Sequence, residues 1–411
     1  MRSDIDAILA EHKYDAILVV GPAMHNPAMV YLTGGGHVTH ADLIQKRGEK
    51  GTLFFGPMER DEAAKSGLNL RSYSNYPFSD LVKQAGGDRV LAMALRYQKM
   101  FSDVGLTSGR VVVFGGMEAG ETLEIFSALG SLMPGLTFHG DVEHKIFQKA
   151  MATKDAEEVA RIRRMGQVTV EVVGQTADYL SSQRSLDGAL AHSDGSPVTI
   201  GEVKRKINLW LAERDVENPE GTIFAIGRDA GVPHSSGYPA DIIRLGQPIV
   251  FDIFPCEAGG GYYYDLTRTW CMGYASDEVL ALYDQVHQVY HQVVSELALG
   301  VAFKHYQTRT CELFEAMGHP TILGSPETEA GYVHSLGHGV GLNIHERPAS
   351  GSAAPADDVL EPGNIITIEP GLYYPERGMG VRLENPYWVR PDGNFEMLAD
   401  FPMDLVLPVK G

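Results

Sequence analysis

Four acids interrupt runs that otherwise read as buried strands: Asp252 in "IVFDIF", Asp265 in "YYYDLTRTW", Glu369 in "IITIEPG" and Glu384 in "GVRLEN". A carboxylate taken out of water is costly unless it is paired with a charge or bound to a metal. Arg268 and Arg382 stand close enough in sequence to be structural partners, and for a single acid an ion pair would suffice as an explanation. For four acids, each placed mid-strand and accompanied by a glycine-lined histidine, separate ion pairs explain less than a shared positive centre. Any fold for this chain has to bring those carboxylates to one place.

The histidines lie in "VHSLGHGVGLNIHERP", residues 333–348, where His334, His338 and His345 are threaded between Gly337, Gly339 and Gly341. Spacing of four could put two imidazoles on one helix face, as in the zinc motif H-E-x-x-H. Here Ser335 stands where the Glu should be. Each glycine also costs roughly 1 kcal/mol relative to alanine in a helix interior. The segment therefore reads as a glycine-rich loop, with a surface loop of incidental histidines as the alternative. Four carboxylates and one imidazole make a hard, oxygen-rich ligand set, better suited to a pair of Mn2+ or similar ions than to a thiolate-type zinc site. Four negative charges balance two dications, whereas without cations several of the acids would have to hold protons. Two close metals can share a hydroxide, generate it near neutral pH and polarise the carbonyl it attacks.

Length sets the domain expectation: 411 residues exceed one ordinary core, so two domains are predicted. A formal net charge of -19 repels phosphate backbones, which excludes nucleic acid as a partner. The one basic cluster, Arg161, Arg163 and Arg164, follows Glu157 and Glu158 at helical spacing and reads as a solvated helix face. No apolar run approaches the roughly 18 residues of a membrane span, so no membrane is expected. The opening "MRSDIDAILAEHKYD" carries acids where a signal peptide needs an apolar core, and a cytoplasmic location is expected. Cys256, Cys271 and Cys311 lack C-x-x-C spacing and an even count, which fits unpaired thiols in a reducing compartment.

Residues 1–150 alternate between helix and strand patterns (helices 5–11, 59–66 and 118–132; strands 15–20, 51–55 and 110–114) and read as an α/β domain. The polar segment 151–155 is the boundary, with Asp155 suited to cap a helix over 156–180. Residues 151–411 then show long helices at 201–215, 276–298 and 303–317, and strands at 248–254, 261–270, 364–370 and 381–389. Together they predict an α+β domain. "GSAAPADD" at 351–358 reads as an exposed loop.

Asp252, Asp265, His338, Glu369 and Glu384 match, in order and residue type, the five metal ligands of the creatinase/aminopeptidase P/prolidase family. "DLTRTW", "GHGVGL", "HERP", "TIEPGLYY", "GVRLEN" and "GRDAGVPH" resemble that family too, and "NPAMVYLTG" at 26–34 resembles its accessory domain. The resemblance covers nearly the whole chain, most like a bacterial Xaa-Pro dipeptidase. It implies an α/β accessory domain over 1–150, followed by an α+β pita-bread catalytic domain over 151–411. It also implies two divalent ions, Mn2+ first with Co2+ or Zn2+ as alternatives. Asp252 would hold one ion, His338 and Glu369 the other, and Asp265 and Glu384 both. Glu369 would also shuttle a proton to the leaving amine. His234 and His345 would face the scissile amide and steady the tetrahedral intermediate. Arg382 would orient Glu384 or a neighbour. His334 would line the same cavity, or be an incidental loop residue. The glycines would let the backbone pass close to the ions.

The implied activity is hydrolysis of the Xaa-Pro bond, with a proline-containing dipeptide or short peptide as substrate and a homodimer as the assembly. The alternatives are aminopeptidase P activity on longer peptides, a metal-dependent non-peptide amide hydrolase, and a non-catalytic peptide-binding relative. Two departures stand out. "PCEAGGGYYY" between Asp252 and Asp265 is about two residues longer than the family pattern, an excess for the hairpin turn or a bulge to absorb. The arginine expected beyond "HERP" to hold a dipeptide's carboxylate is missing, leaving Arg347, or Arg47 of this chain or a partner subunit, as substitutes.

Overall fold

The structure, a computed structural model, describes residues 4–35, 38–143 and 145–410. The chain divides into two compact units, Met1–Met151 with Gly259–Gly261, and Ala152–Ala258 with Tyr262–Gly411.

The first unit is an α/β layer built on a six-stranded sheet. Its strands are β1 (Ala16–Gly21), β2 (Ala41–Lys46), β3 (Thr52–Phe55), β4 (Asn69–Ser72), β5 (Gly109–Gly115) and β6 (Leu136–Gly140), in spatial order β4-β3-β2-β1-β5-β6. β1 pairs with β5 parallel and with β2 antiparallel, so the sheet is mixed. "AILVVG" is apolar at consecutive positions because this central strand is buried on both faces. The helix Arg89–Asp103 lay outside the sequence expectation. Asp88 caps it, its carboxylate accepting from the Leu91 amide at 3.0 Å.

In the second unit, Asp155 and Glu158 form a reciprocal capping box at the start of the helix Ala156–Ser181. The basic cluster on this helix is not simply solvated. Arg161 pairs with Glu257, and Arg163 with Glu396 at 2.7 Å. Those acids are far away in sequence, so only folding could reveal them; Arg164 remains exposed. The helix Asp277–Glu296 starts at Ser276, whose hydroxyl accepts from the Val279 amide. It buries Val279, Leu282, Tyr283, Val286, Val289, Tyr290 and Val293, the three-and-four spacing of an amphipathic face.

Two five-stranded sheets and three two-stranded ones are described in this unit, and the two larger carry the site. One runs Thr222–Ile226, Pro248–Ile253, Leu266–Ala275 and Leu245–Gly246 in spatial order, with Val406–Leu407 also paired to Leu266–Ala275. The other runs Glu346–Ala349, His338–Gly339, Ile365–Ile368, Asn385–Val389 and Phe395–Met397. The strand expected at 261–270 begins only at Leu266, and the one expected at 381–389 is two, Met379–Arg382 and Asn385–Val389. Thus only Asp252 is mid-strand. Asp265 precedes a strand, Glu369 follows Ile365–Ile368, and Glu384 sits in a break between strands. A strand interior sends alternate side chains to opposite faces, whereas strand ends let acids from separate strands converge.

The long connection between Asp252 and Asp265 leaves the pairing intact: Asp252 faces Thr267 and Ile253 faces Leu266 without a register shift. The turn therefore absorbs the length, helped by Gly259 and Gly260 at φ 87° and 82°.

Candidate metal centre

A cavity of about 360 Å³ in the second unit is lined by Asp252, Asp265, His338, Glu369 and Glu384, together with His234, His334, His345 and Arg382. The loop 333–348 thus contributes all three of its histidines to the cavity lining. The glycines there are required by neighbouring strands. A Cβ on Gly337 would overlap the Thr367 carbonyl, and one on Gly339 the Arg347 carbonyl. The short strand His338–Gly339 is thereby squeezed between Glu346–Ala349 and Ile365–Ile368.

His338 Nδ1 lies 3.1 Å from the Gly339 carbonyl. A carbonyl only accepts, so Nδ1 carries the proton and the Nε2 lone pair faces the acids. Nε2 lies 3.6 Å from both Asp265 Oδ2 and Glu369 Oε1, beyond hydrogen-bonding range. Asp265, His338 and Glu384 offer ligand atoms all within 4.8 Å of one another. Asp252 Oδ1, Asp265 Oδ1 and Glu384 Oε1 are buried without a hydrogen-bond partner. Buried acceptors are ordinarily satisfied, so three orphaned carboxylate oxygens around a neutral imidazole fit divalent cations.

The electrostatics agree. Burial, then the Glu384 and Asp252 charges, pushes the Asp265 carboxyl well above its ordinary range. Burial and Glu384 do the same to Glu369. Burial, then Asp252, raises Glu384 to about 8. Burial lowers His334 and His338 to about 3, so both rings are neutral near pH 7. Without added positive charge, burial favours protons on Asp265, Glu369 and Glu384; with it, the same groups are ligands.

Arg382 is only 2% exposed. It donates from Nη2 to Asp252 at 2.6 Å, from Nη1 to the Tyr373 hydroxyl at 2.7 Å and from Nε to the Thr267 hydroxyl at 3.1 Å. Thr267 in turn donates to Glu384 at 2.8 Å, so Arg382 reaches Glu384 through a threonine. Arg268 pairs with no acid in this set. Its guanidinium donates to the carbonyls of Thr267, Glu384, Phe401 and Pro402, tying strands together.

His334 Nδ1 meets the Ser335 carbonyl at 2.7 Å and Nε2 meets the Tyr373 hydroxyl at 2.9 Å, which occupies both nitrogens. His345 packs edge-on against His338 with centroids 4.3 Å apart; it and His234 are exposed at the cavity wall. Arg347 lies outside the cavity lining and pairs with Asp357 and Asp358 of the "GSAAPADD" loop. Arg47 donates to the Tyr14 carbonyl and lies 3.5 Å from Asp15, in the first unit.

Three residues escaped the sequence reading. Tyr373 joins Arg382 to His334, Thr267 joins Arg382 to Glu384, and Lys154 pairs with Glu346 at 2.7 Å, both side chains fully enclosed. "MATKD" gave Lys154 no distinguishing signal; Thr267 and Tyr373 lie inside quoted motifs yet carry no charge to mark them.

Fold and site together define a pita-bread catalytic unit that follows an α/β unit in the chain. The profile of metallopeptidase family M24 matches residues 160–391, and the chain belongs to that family. The Xaa-Pro dipeptidase of Pyrococcus furiosus is 31% identical over 193 residues, 47% of this chain and 51% of that protein. The chain spans about half the length of the curated relatives it matches. Among solved structures, a dipeptidase from Pyrococcus horikoshii OT3 superposes with a TM-score of 0.75 at 21% identity, covering 99% of each chain. The X-Pro aminopeptidase from Thermotoga maritima MSB8 gives 0.72 at 20% identity, over 96% of this chain and 97% of that one.

Proposed function

We propose that this chain is a two-ion peptidase that hydrolyses the bond preceding proline, acting as an Xaa-Pro dipeptidase. The carrying observation is the set of orphaned carboxylate oxygens facing a neutral His338. Membership of a metallopeptidase family and a relative named Xaa-Pro dipeptidase support it.

In this reading Asp252, Asp265, His338, Glu369 and Glu384 hold the ions, with Mn2+ favoured by the oxygen-rich set over Co2+ or Zn2+. When bound, such ions bring the pKa of water near neutral and polarise the scissile carbonyl. Glu369, with one oxygen near His338 and its other 3.9 Å from His334, takes a proton from water in this reading and hands it to the leaving amine. His234 and His345 line the cavity and donate to the developing oxyanion and the amide. Arg382 fixes Asp252 directly and Glu384 through Thr267. A homodimer is proposed from the family resemblance, and a cytoplasmic site from three buried free thiols, which fit a reducing compartment.

A second reading, aminopeptidase activity on longer peptides, is favoured by one observation. The arginine lining the cavity is already committed to Asp252, Tyr373 and Thr267, so it is not spare for a dipeptide's carboxylate. Arg347 and Arg47 remain proposals for that role. The test is to strip the protein, restore Mn2+, and compare release of proline from Ala-Pro with cleavage of Ala-Pro-Ala, measuring bound metal alongside. Turnover of the dipeptide alone supports the first reading, and turnover of the tripeptide alone replaces it with the second. Two bound ions with neither peptide cleaved would eliminate both.

A further inference from the structure

Away from the cavity, the helix Asp277–Glu296 carries His287 and His291 one turn apart, and their Nε2 atoms lie 3.0 Å from each other. His287 is half-buried and His291 exposed, so solvent reaches the pair. Aromatic neighbours on the same helix set the rings. Tyr283 stacks on His287 with centroids 6.2 Å apart, and Tyr290 meets His291 edge-on at 5.2 Å. The rings stand at 68° to each other with centroids 4.3 Å apart.

We propose that His287 and His291 form a second metal site, a surface chelate for Cu2+ or Ni2+ that is separate from the buried carboxylate cluster. One ring N–H donates to the other ring's nitrogen at this distance, and an ion replacing that proton would meet both nitrogens. With metal–nitrogen bonds of about 2.05 Å, Nε2 atoms 3.0 Å apart subtend about 95° at the metal. That is near the cis angle of square-planar and octahedral ions and well short of the tetrahedral angle, so the site favours Cu2+ and Ni2+ over Zn2+. Burial and the neighbouring His287 lower the pKa of His291, which keeps its ring available as a ligand near pH 7. Water completes the coordination, since no third protein ligand is grouped with the pair among the described residues. The ion would clamp one turn of a helix that packs against the strands Gly371–Tyr374 and Met379–Arg382.

The experiment uses the full chain with its buried centre saturated with Mn2+. Cu2+, Ni2+ and Zn2+ are titrated calorimetrically into wild type, His291→Gln, His287→Gln and the double variant, with His305→Gln as a control on a neighbouring helix. A chelate requires each single variant to lose about 100-fold in Cu2+ affinity, nearly as much as the double. Retention on an immobilised Cu2+ column should fall in parallel, and Cu2+ should raise the melting temperature of wild type but not of His291→Gln. Because His291 is exposed, that variant tests the site without disturbing the core. Equal affinity in wild type and His291→Gln would overturn the proposal. Two independent losses that simply add in the double variant, or Zn2+ binding tighter than Cu2+, would overturn it equally.

Discussion

Arg382 and Lys154 show how two buried cations serve different purposes. Arg382 stands among the clustered acids and compensates Asp252. Replacing it by Gln leaves that charge unpaired, at a cost of about 3–5 kcal/mol. Urea unfolding of Arg382→Gln should show that loss in chelator, and added Mn2+ should recover part of it by supplying the missing positive charge. Lys154 instead holds Glu346, which also accepts from the Asn343 amide at 3.0 Å and so shapes the turn that carries His345. Lys154→Met should cost a similar 3–5 kcal/mol for one abandoned carboxylate. Here Mn2+ should restore nothing, because Glu346 does not line the cavity. A Lys154→Met, Glu346→Leu double variant more stable than the single would confirm that the abandoned charge is the cause.

At the scale of elements, the narrow ladder around His338–Gly339 decides where the imidazole sits. Gly337→Ala would drive a methyl group into the Thr367 carbonyl of the adjoining strand, and backbone cannot rotate away as a side chain could. We expect about 1–3 kcal/mol of destabilisation, with ion affinity falling together with stability as His338 is displaced. Gly351→Ala, where the nearest atom is the Ser335 Cβ at 3.9 Å, should be silent in both assays. The glycines were legible as a loop signal, but their physical reason was not. It is the closeness of neighbouring strands, a long-range fact. The same holds for the acids: their embedding in apolar runs was visible, whereas their placement at strand ends depended on where pairing stops, which Leu266 and the break at Leu383 and Glu384 decide.

For the molecule as a whole, the buried cluster makes stability depend on pH and metal together. Glu384 has a raised folded-state pKa, so the stability it gives is complete below its ordinary 4.5 and is lost as pH rises through about 8. His334 and His338 have lowered values, so theirs is present above 6.5 and is lost as pH falls toward about 3. Below 6.5 the two effects oppose. Between 6.5 and 8 the carboxyl acts without that opposition. Ion-free protein should therefore lose roughly 2 kcal/mol over that window for Glu384 alone. Saturating Mn2+ should abolish the loss, because ligation displaces the same protons; urea titrations at both pH values, with and without chelator, read it directly. The sequence by itself determined the chemistry on offer: oxygen-rich residues, one loop of histidines and a resemblance carried by local motifs. Residue type and near-neighbour spacing encode all of that. Only the tertiary structure decided which cation answers which acid, that Arg382 reaches Glu384 through Thr267, and that Arg161 and Arg163 find Glu257 and Glu396. Those partners lie tens to hundreds of residues apart, and charge selects among distant partners only after the backbone has brought them within reach.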